Sequence, residues 1–336
     1  MQLDEKRIIQ MFISKLKKNN LKDFGQDDVT VIPSRTLMKF SSHALVFKCD
    51  MLVESTDVPA GMEPWQAARK SVVSVISDLS AKGAKPYVSL ISVGIPKTYP
   101  KKAIASLVEG FRVASREFGF IIVGGDTNEA KELIIDCCVI GFSRRIDLKM
   151  PSRSGARPGD LIIVSGIFGY PTAGLKILMD RAVAKGVFRK KAIASVMMPL
   201  PRIRFGTILA KFFSSSIDSS DGLALSLYEL AGQSKVDFFV NEIPYGLDLL
   251  EFVKNNNLSS KELIFYGGEE YEIIATVPRA ALDQAKTYAK KSRIKFLIIG
   301  EVKKGSGNVF IKSEKGRGYS ILENRGYTHL SRSSPS

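Results

Sequence analysis

Ile121-Ile122-Val123-Gly124-Gly125-Asp126-Thr127-Asn128 is the stretch on which the reading of this chain turns. Three β-branched residues predict a short buried strand, and the two glycines read as halting it with a carboxylate at its tip. Glycine lacks a Cβ, so a ligand or another backbone can approach closely. An acid at the carboxyl end of a strand is also where α/β folds place ligand chemistry. The device recurs: Asp27-Asp28, Asp50, Ser77-Asp78, Asp218-Ser219-Ser220-Asp221-Gly222 and Gly267-Gly268-Glu269-Glu270 set acids among apolar residues, small residues or glycines.

Working outward, Ile8, Ile9, Phe12, Ile13 and Leu16 fall on one face of an opening helix. Val29 to Ile32 and Ala44 to Val53 read as strands, the second carrying Asp50. Pro64 suits the first turn of a helix whose buried stripe is Trp65, Ala68, Val72, Val75, Ile76 and Leu79, with Asp78 on it. Val88 to Val93 predicts a strand, Ile104 to Phe118 a helix, and Leu133 to Phe142 the strand that completes a first unit. The polar, glycine- and proline-rich run Arg153 to Asp160 marks a junction. After it come strands at residues 161–166, 238–240, 273–277, 296–300 and 309–311. Helices are expected around residues 173–179, 181–195 and 222–231. The halves echo one another, each with an acid-bearing helix or helix start (Asp78; Asp221) and a Gly-Gly-acid turn. The reading is an α/β (α+β) fold in two domains, residues 1–148 and 149–336.

A chain of 336 residues can bury two cores. Its 49 Lys and Arg against 34 Asp and Glu give +15, a surplus that suits polyanions such as nucleotide phosphates or nucleic acid. The basic residues are spread in pairs, with no arm or aromatic-interleaved tract, so a solvated basic surface is expected and nucleic acid is not. Three cysteines, two adjacent (Cys137-Cys138), form neither a disulfide framework nor a CxxC zinc pattern. A reducing, cytoplasmic setting is expected, since no signal peptide or membrane-spanning run is read.

The chemistry follows by elimination. Only His43 and His329 are present, and no G-x-S-x-G accompanies them. There is no GxxxxGK[ST], and no GxGxxG follows a strand. What remains is a surplus of aspartates in otherwise apolar settings, where carboxylates repel one another and resist burial. Hard divalent cations resolve that conflict, because Mg²⁺ takes oxygen ligands and bridges acids to phosphates. Asp27, Asp28, Asp50, Asp78, Asp126, Asp218 and Asp221 are therefore candidate ligands for magnesium bound with a nucleotide. Each also has a plain structural reading: Asp218 or Ser220 as a helix cap, Ser77-Asp78 as a satisfied polar pair, Asp27-Asp28 as a turn.

Taken in order, these elements, together with Arg153-Ser154-Gly155-Ala156-Arg157-Pro158-Gly159-Asp160 and Gly267-Gly268-Glu269-Glu270-Tyr271-Glu272, resemble the thiamine-monophosphate kinase family. That family belongs to the aminoimidazole ribonucleotide synthetase-like superfamily of ATP-dependent enzymes, and the resemblance runs from about residue 25 to 327. It implies a two-domain fold whose N-terminal sheets pair in a homodimeric barrel. ATP and magnesium would lie between the domains, and the C-terminal domain would serve nucleotide and substrate closure. It implies magnesium ligands at Asp28, Asp50, Asp78, Asp126, Asp218 and Asp221, with Asp27 beside them and Cys49 offering at most its backbone oxygen. Gly125, Arg153 and Ser220 would contact ATP, while Glu269 and Tyr327 would touch the thiamine end. The implied reaction is phosphorylation of thiamine monophosphate to the diphosphate by ATP, in thiamine biosynthesis, by in-line phosphoryl transfer assisted by the magnesium-aspartate cluster. Asp126, Asp218 and Asp221 would be its principal catalytic acids.

Four positions depart from the family pattern. Gln26 replaces a glycine, Lys48-Cys49 replace small hydroxyl residues, Asp57 stands where a substrate-contacting histidine is common, and Glu270 replaces an aspartate. Lys48 is expected to point away from the acids by strand alternation. The competing expectations are a related ATP-dependent enzyme on another substrate, such as an aminoimidazole ribonucleotide synthetase-like one, and a non-catalytic nucleotide- or RNA-binding protein. The hydrogenase-maturation and selenophosphate relatives fit less well, for want of a terminal cysteine and a cysteine-bearing glycine loop respectively.

Overall fold

Alternation along Ala44–Val53 sets the first sheet. Leu45, Phe47, Cys49 and Met51 point one way and stay exposed, while Val46, Lys48 and Asp50 point the other and are half-buried. This is the first strand of the chain as a computed structural model describes it. The structure describes residues 43–143, 150–313 and 318–327, and five helical positions near the start, Ile8, Gln10, Met11, Ser14 and Lys15. Asp27, Asp28, Gln26, the strand read at residues 29–32 and His329 lie outside the described residues.

The chain divides into two compact units, Met1–Ser80 with Ala84–Lys149, and Ala81–Gly83 with Met150–Ser336. In the first, β1 (Ala44–Val53), β2 (Lys85–Ile95), β3 (Ile121–Glu129) and β4 (Ile134–Ser143) form a sheet in the order β1-β4-β2-β3. Only β2 and β3 are parallel, and the helix α3 (Lys101–Phe118) connects them, as parallel pairing requires. A short α1 (Glu54–Asp57) and α2 (Pro64–Ala81) fill the chain between β1 and β2. Helix α2 is buried along most of its length: Ala68, Val72, Val73, Val75, Ile76 and Leu79 are at most 1% exposed. Its Arg69 is buried too, and forks onto Glu117 with two bonds of 2.7 Å, a geometry that offsets the loss of water around the guanidinium.

The strand read at residues 121–123 does not stop at the glycines. It continues as β3 to Glu129, pairing Gly124 to Glu129 with Leu90 to Ile95. A bulge at Ser89/Leu90 absorbs the irregularity, and Gly125 lies so close to β2 that a Cβ there would stand 1.7 Å from the Ile91 carbonyl oxygen. Gly125 therefore serves contact between two strands inside the sheet.

The second unit carries a mixed seven-stranded sheet, β11-β10-β7-β9-β5-β8-β6. Its strands are β5 (Leu161–Val164), β6 (Ser215–Ser219), β7 (Val236–Val240), β8 (Glu272–Val277), β9 (Leu297–Lys304), β10 (Val309–Lys312) and β11 (Tyr319–Ile321). Helices α4 (Tyr170–Leu178), α5 (Gly186–Met197), α6 (Ile203–Leu209), α7 (Leu223–Ser234), α8 (Leu247–Asn255) and α9 (Leu282–Lys291) complete it. The basic stretch read as helical from residue 181 begins its helix at Gly186. The main core gathers Ile162, Val164, Phe168, Leu223, Leu227, Phe238 and Ile274 among others, and the central strands β5 and β8 are buried at every position. Among the described residues no helix is long and apolar enough to cross a membrane.

Candidate active site

Each unit carries its own set of acids. In the first, Lys48 and Asp50 are two residues apart on β1 and so share a face. Asp78 comes from the last turns of α2. The Lys48 Nζ stands 2.8 Å from Asp50 Oδ1 and 2.8 Å from Asp78 Oδ2. Lys48 thus points into the acids, contrary to the expectation that alternation turns it away: an interval of two restores the face. Burial works against the Lys48 charge, but the Asp78 and Asp50 carboxylates outweigh it and hold the amine above its ordinary range. Burial pushes Asp50 up, against the lowering by Lys48, with Asp78 adding repulsion.

Asp126 stands apart from this group. Register runs Asp50–Cys137–Ile91–Gly125 in one row of the sheet and Met51–Asp136–Ser92–Asp126 in the next. Strands β1 and β3 are the two edges, three strand spacings apart, or roughly 14 Å. Among the described residues, no three His, Cys, Asp or Glu side chains come close enough to hold a metal ion. The Cys49 thiol points to the other face of β1 and donates to Asp136 Oδ1 at 3.0 Å. That bond, burial and the Asp136 charge push it up to about 12, so it is a thiol at neutral pH. Asp57 is used locally: its Oδ2 accepts from the Val53 N–H at 2.7 Å and the Thr56 hydroxyl at 3.1 Å, closing the start of α1. Lys70 donates to the Asp57 backbone oxygen at 2.7 Å.

In the second unit main-chain bonds assemble the residues. Asp218 on β6, buried at 7% exposure, pairs with Ile273 of β8, and the chain turns through Ser219, Ser220, Asp221 and Gly222 into α7. The cap of α7 is Gly222, at φ +115°, with no side-chain hydrogen bond; neither Asp218 nor Ser220 serves as the cap. The Glu269 N–H donates to the Ser220 carbonyl at 2.6 Å and the Tyr271 N–H to the Ser219 carbonyl at 2.8 Å. The Tyr327 N–H donates to the Asp221 carbonyl at 3.0 Å. Asp218, Ser220, Asp221, Glu269 and Tyr327 are thereby gathered around one turn. A Cβ on Gly268 would fall 2.5 Å from the Ser220 oxygen, so the close docking needs that glycine. Glu269 (φ +65°) and Tyr271 (φ +52°) adopt the left-handed conformation, which non-glycine residues hold only when their surroundings enforce it.

Between them Glu270 turns inward, accepting the Gly169 N–H at 2.6 Å where α4 begins. Burial lifts its carboxyl well above the usual range, against the lowering by that N–H. Glu272, two residues on, is held by Arg202, with one bond at 2.8 Å, and by the Ser165 hydroxyl. Arg153 is not drawn to Ser220. Its Nη1 lies 3.8 Å from Glu229 Oε2 and its carbonyl accepts the Ser234 hydroxyl at 3.1 Å, toward the other end of α7. The echo between the halves is not a structural repeat: Asp78 lies inside a helix and Asp221 before one, and the Gly-Gly-acid elements are a strand and a strained turn respectively.

Residues 26–143 match the N-terminal domain of AIR synthase related proteins. Over 98% of its length the chain is 38% identical to a thiamine-monophosphate kinase of Nitrosopumilus maritimus, covering 99% of that protein. The chain belongs to the thiamine-monophosphate kinase family. A family member from Pyrococcus horikoshii is 34% identical over 92% of this chain and 91% of its own. The fold is shared with AaThiL complexed with AMPPCP and TMP, at a TM-score of 0.74, 24% identity and coverage of 98% and 99%. Lys48, which the motif reading turned away from the acids, joins Asp50 and Asp78 instead, and the signal for this was its two-residue interval to Asp50.

Proposed function

We propose that this chain transfers the γ-phosphoryl group of ATP to the phosphate of thiamine monophosphate, giving thiamine diphosphate and ADP. A phosphate oxygen of the acceptor forms the new P–O bond as the bond to the ADP oxygen breaks. That oxygen is already ionised at neutral pH, so no general base is required and the scarcity of histidine is no obstacle. The observation that carries the reading is the turn in the second unit, where three main-chain bonds gather Asp218, Ser220, Asp221, Glu269 and Tyr327. Those are five of the positions that family resemblance associates with metal, ATP and thiamine. In this reading Gly125, Arg153 and Ser220 contact ATP, and Glu269 and Tyr327 the thiamine end. Asp57 is kept as a further substrate-side residue on the family resemblance alone.

The donor set suits magnesium, since Asp50, Asp78, Asp126, Asp218 and Asp221 offer hard carboxylate oxygens, with Asp27 and Asp28 added from the sequence. When bound, magnesium would neutralise and bridge the phosphates of two polyanions that must approach each other. An interval of roughly 14 Å bars Asp50 and Asp126 of one copy from sharing an ion. A homodimer would shorten that interval. Of the ways two four-stranded sheets can close a barrel, the one setting β1 of each copy beside β3 of the other supplies Asp126 from the partner subunit. The exposed apolar side chains on one face of the sheet, Leu45, Phe47, Met51 and Leu90, support such a pairing. The basic surplus would gather both substrates by steering, in a cytoplasmic enzyme.

The test is ADP release from ATP and Mg²⁺, with and without thiamine monophosphate, alongside Asp126→Asn. Turnover that needs thiamine monophosphate and disappears in the variant supports the reading. ATP binding without that turnover sinks the substrate assignment.

A further inference from the structure

The amine of Lys48 sits where two carboxylates of the candidate metal cluster face each other. Its Nζ is 2.8 Å from Asp50 Oδ1 and 2.8 Å from Asp78 Oδ2, so those oxygens lie no farther apart than twice that distance. An ordinary surface ion pair would carry no functional weight. This one differs in three respects. It bridges two acids from different elements, a strand and a helix, so it governs their separation. Its side chain is held largely out of solvent, at 33% exposure, with the acids at 29% and 25%. And a magnesium ion bound to both oxygens at about 2.0–2.1 Å would need the space that Nζ fills. Ammonium and divalent ion therefore exclude each other between these two oxygens.

We propose that Lys48 is a resident cation, taking the place of one divalent ion between Asp50 and Asp78. The inference rests on the magnesium-dependent reading above. Its consequences follow from charge. One ammonium over two carboxylates leaves the pair with a net negative charge, enough to attract an ion on their outward oxygens but not to host one between them. Asp50 and Asp78 are then set at their working separation before any metal arrives, which reduces the reorganisation that binding requires. In a chain without Lys48 the same two acids would repel each other until an ion joined them.

The experiment counts manganese. Mn²⁺ is titrated into the full-length protein with a non-hydrolysable ATP analogue, and the free ion is followed by its electron paramagnetic resonance signal. This is done for wild type, Lys48→Met and Lys48→Thr, with circular dichroism confirming that each is folded. The proposal expects one more Mn²⁺ per chain in both variants than in wild type. It also expects the variants' melting temperatures to rise more on adding Mn²⁺ than that of wild type. Equal counts in all three proteins would overturn it, because the lysine would then be a side chain that metal simply displaces. Fewer ions in the variants would overturn it as well. Absence of Mn²⁺ binding in wild type, with no thiamine-monophosphate-dependent turnover, would instead remove the metal-dependent reading together with this inference.

Discussion

Gly125→Ala is the sharpest single-atom test of how the first sheet carries Asp126. The added Cβ would lie 1.7 Å from the Ile91 carbonyl oxygen, 2.6 Å from its carbon and 3.0 Å from the Ile91 nitrogen. All three are backbone atoms of β2, so no side chain can swing away. Ordinary contact begins near 3.4 Å, and β3 must therefore back off by about half that distance or rotate. Forcing such volume into a packed element costs about 1–3 kcal/mol. The displacement falls on the residue beside Asp126, and a misplacement of about 1 Å can cost on the order of 10²-fold in rate. Urea unfolding and thiamine-monophosphate-dependent ADP release measure the two effects. Gly232→Ala is the contrast. It lies within α7, a Cβ there meets nothing within 4 Å, and exchanging glycine for alanine in a helix gains about 0.5–1 kcal/mol. A Gly125→Ala protein as stable as Gly232→Ala, with wild-type turnover, would refute both the close strand contact and its link to Asp126.

Three other expectations concern different parts of the chain. Burial keeps a proton on Glu270 that the unfolded chain releases near pH 4.3, so its stabilising share is complete below that value. It is lost at about 1.4 kcal/mol per pH unit as pH rises toward the elevated folded value. Glu270→Gln keeps an acceptor for the Gly169 N–H and should flatten that slope, raising the melting temperature at pH 8; parallel profiles for the two proteins would show that burial does not hold the proton. Phe47→Asp places a charge on the exposed apolar face of β1 and should yield monomers by sedimentation with an intact circular dichroism spectrum, whereas an undisturbed dimer would put the interface elsewhere. Arg202→Met leaves Glu272, 4% exposed, without its guanidinium, at a cost of about 3–5 kcal/mol in denaturant unfolding; a loss under 1 kcal/mol would mean Ser165 suffices alone.

Much of the fold was legible because it is written in local periodicity. β1 and β4 follow from alternation and β-branching, and α2 from its apolar stripe. The limits of that code are visible at Gly124-Gly125. Two glycines read as ending a strand, yet here the ladder continues, and the missing Cβ of Gly125 lets it run against β2. Helices α8 and α9 went unread; α9 buries only Ala285 and Ala289, too faint a face to register. β11 is three exposed residues, and its place is set by pairing with β10. The acids themselves stood out in the sequence, but their grouping did not. Glu269, Tyr271 and Tyr327 reach the Ser219–Asp221 turn through backbone N–H groups, which every residue type carries and no motif records. Lys48 was visible and misjudged, since an interval of two on a strand joins side chains instead of separating them.

The placement of β1 and β3 at opposite margins of one sheet also has a bearing on inheritance. If the partner subunit's Asp126 completes the group around Asp50, each copy lends a residue to a site it does not own. A lesion at Asp50 and a lesion at Asp126 carried on separate chains then fall in the same site of a mixed dimer and leave the other site whole, whereas the two carried on one chain disable one site each. Two alleles that are each silent alone could thus rescue one another, while the double lesion on one chain could not be rescued by either. Selection would act on the pair of edges as one unit, although more than seventy residues of sequence lie between Asp50 and Asp126.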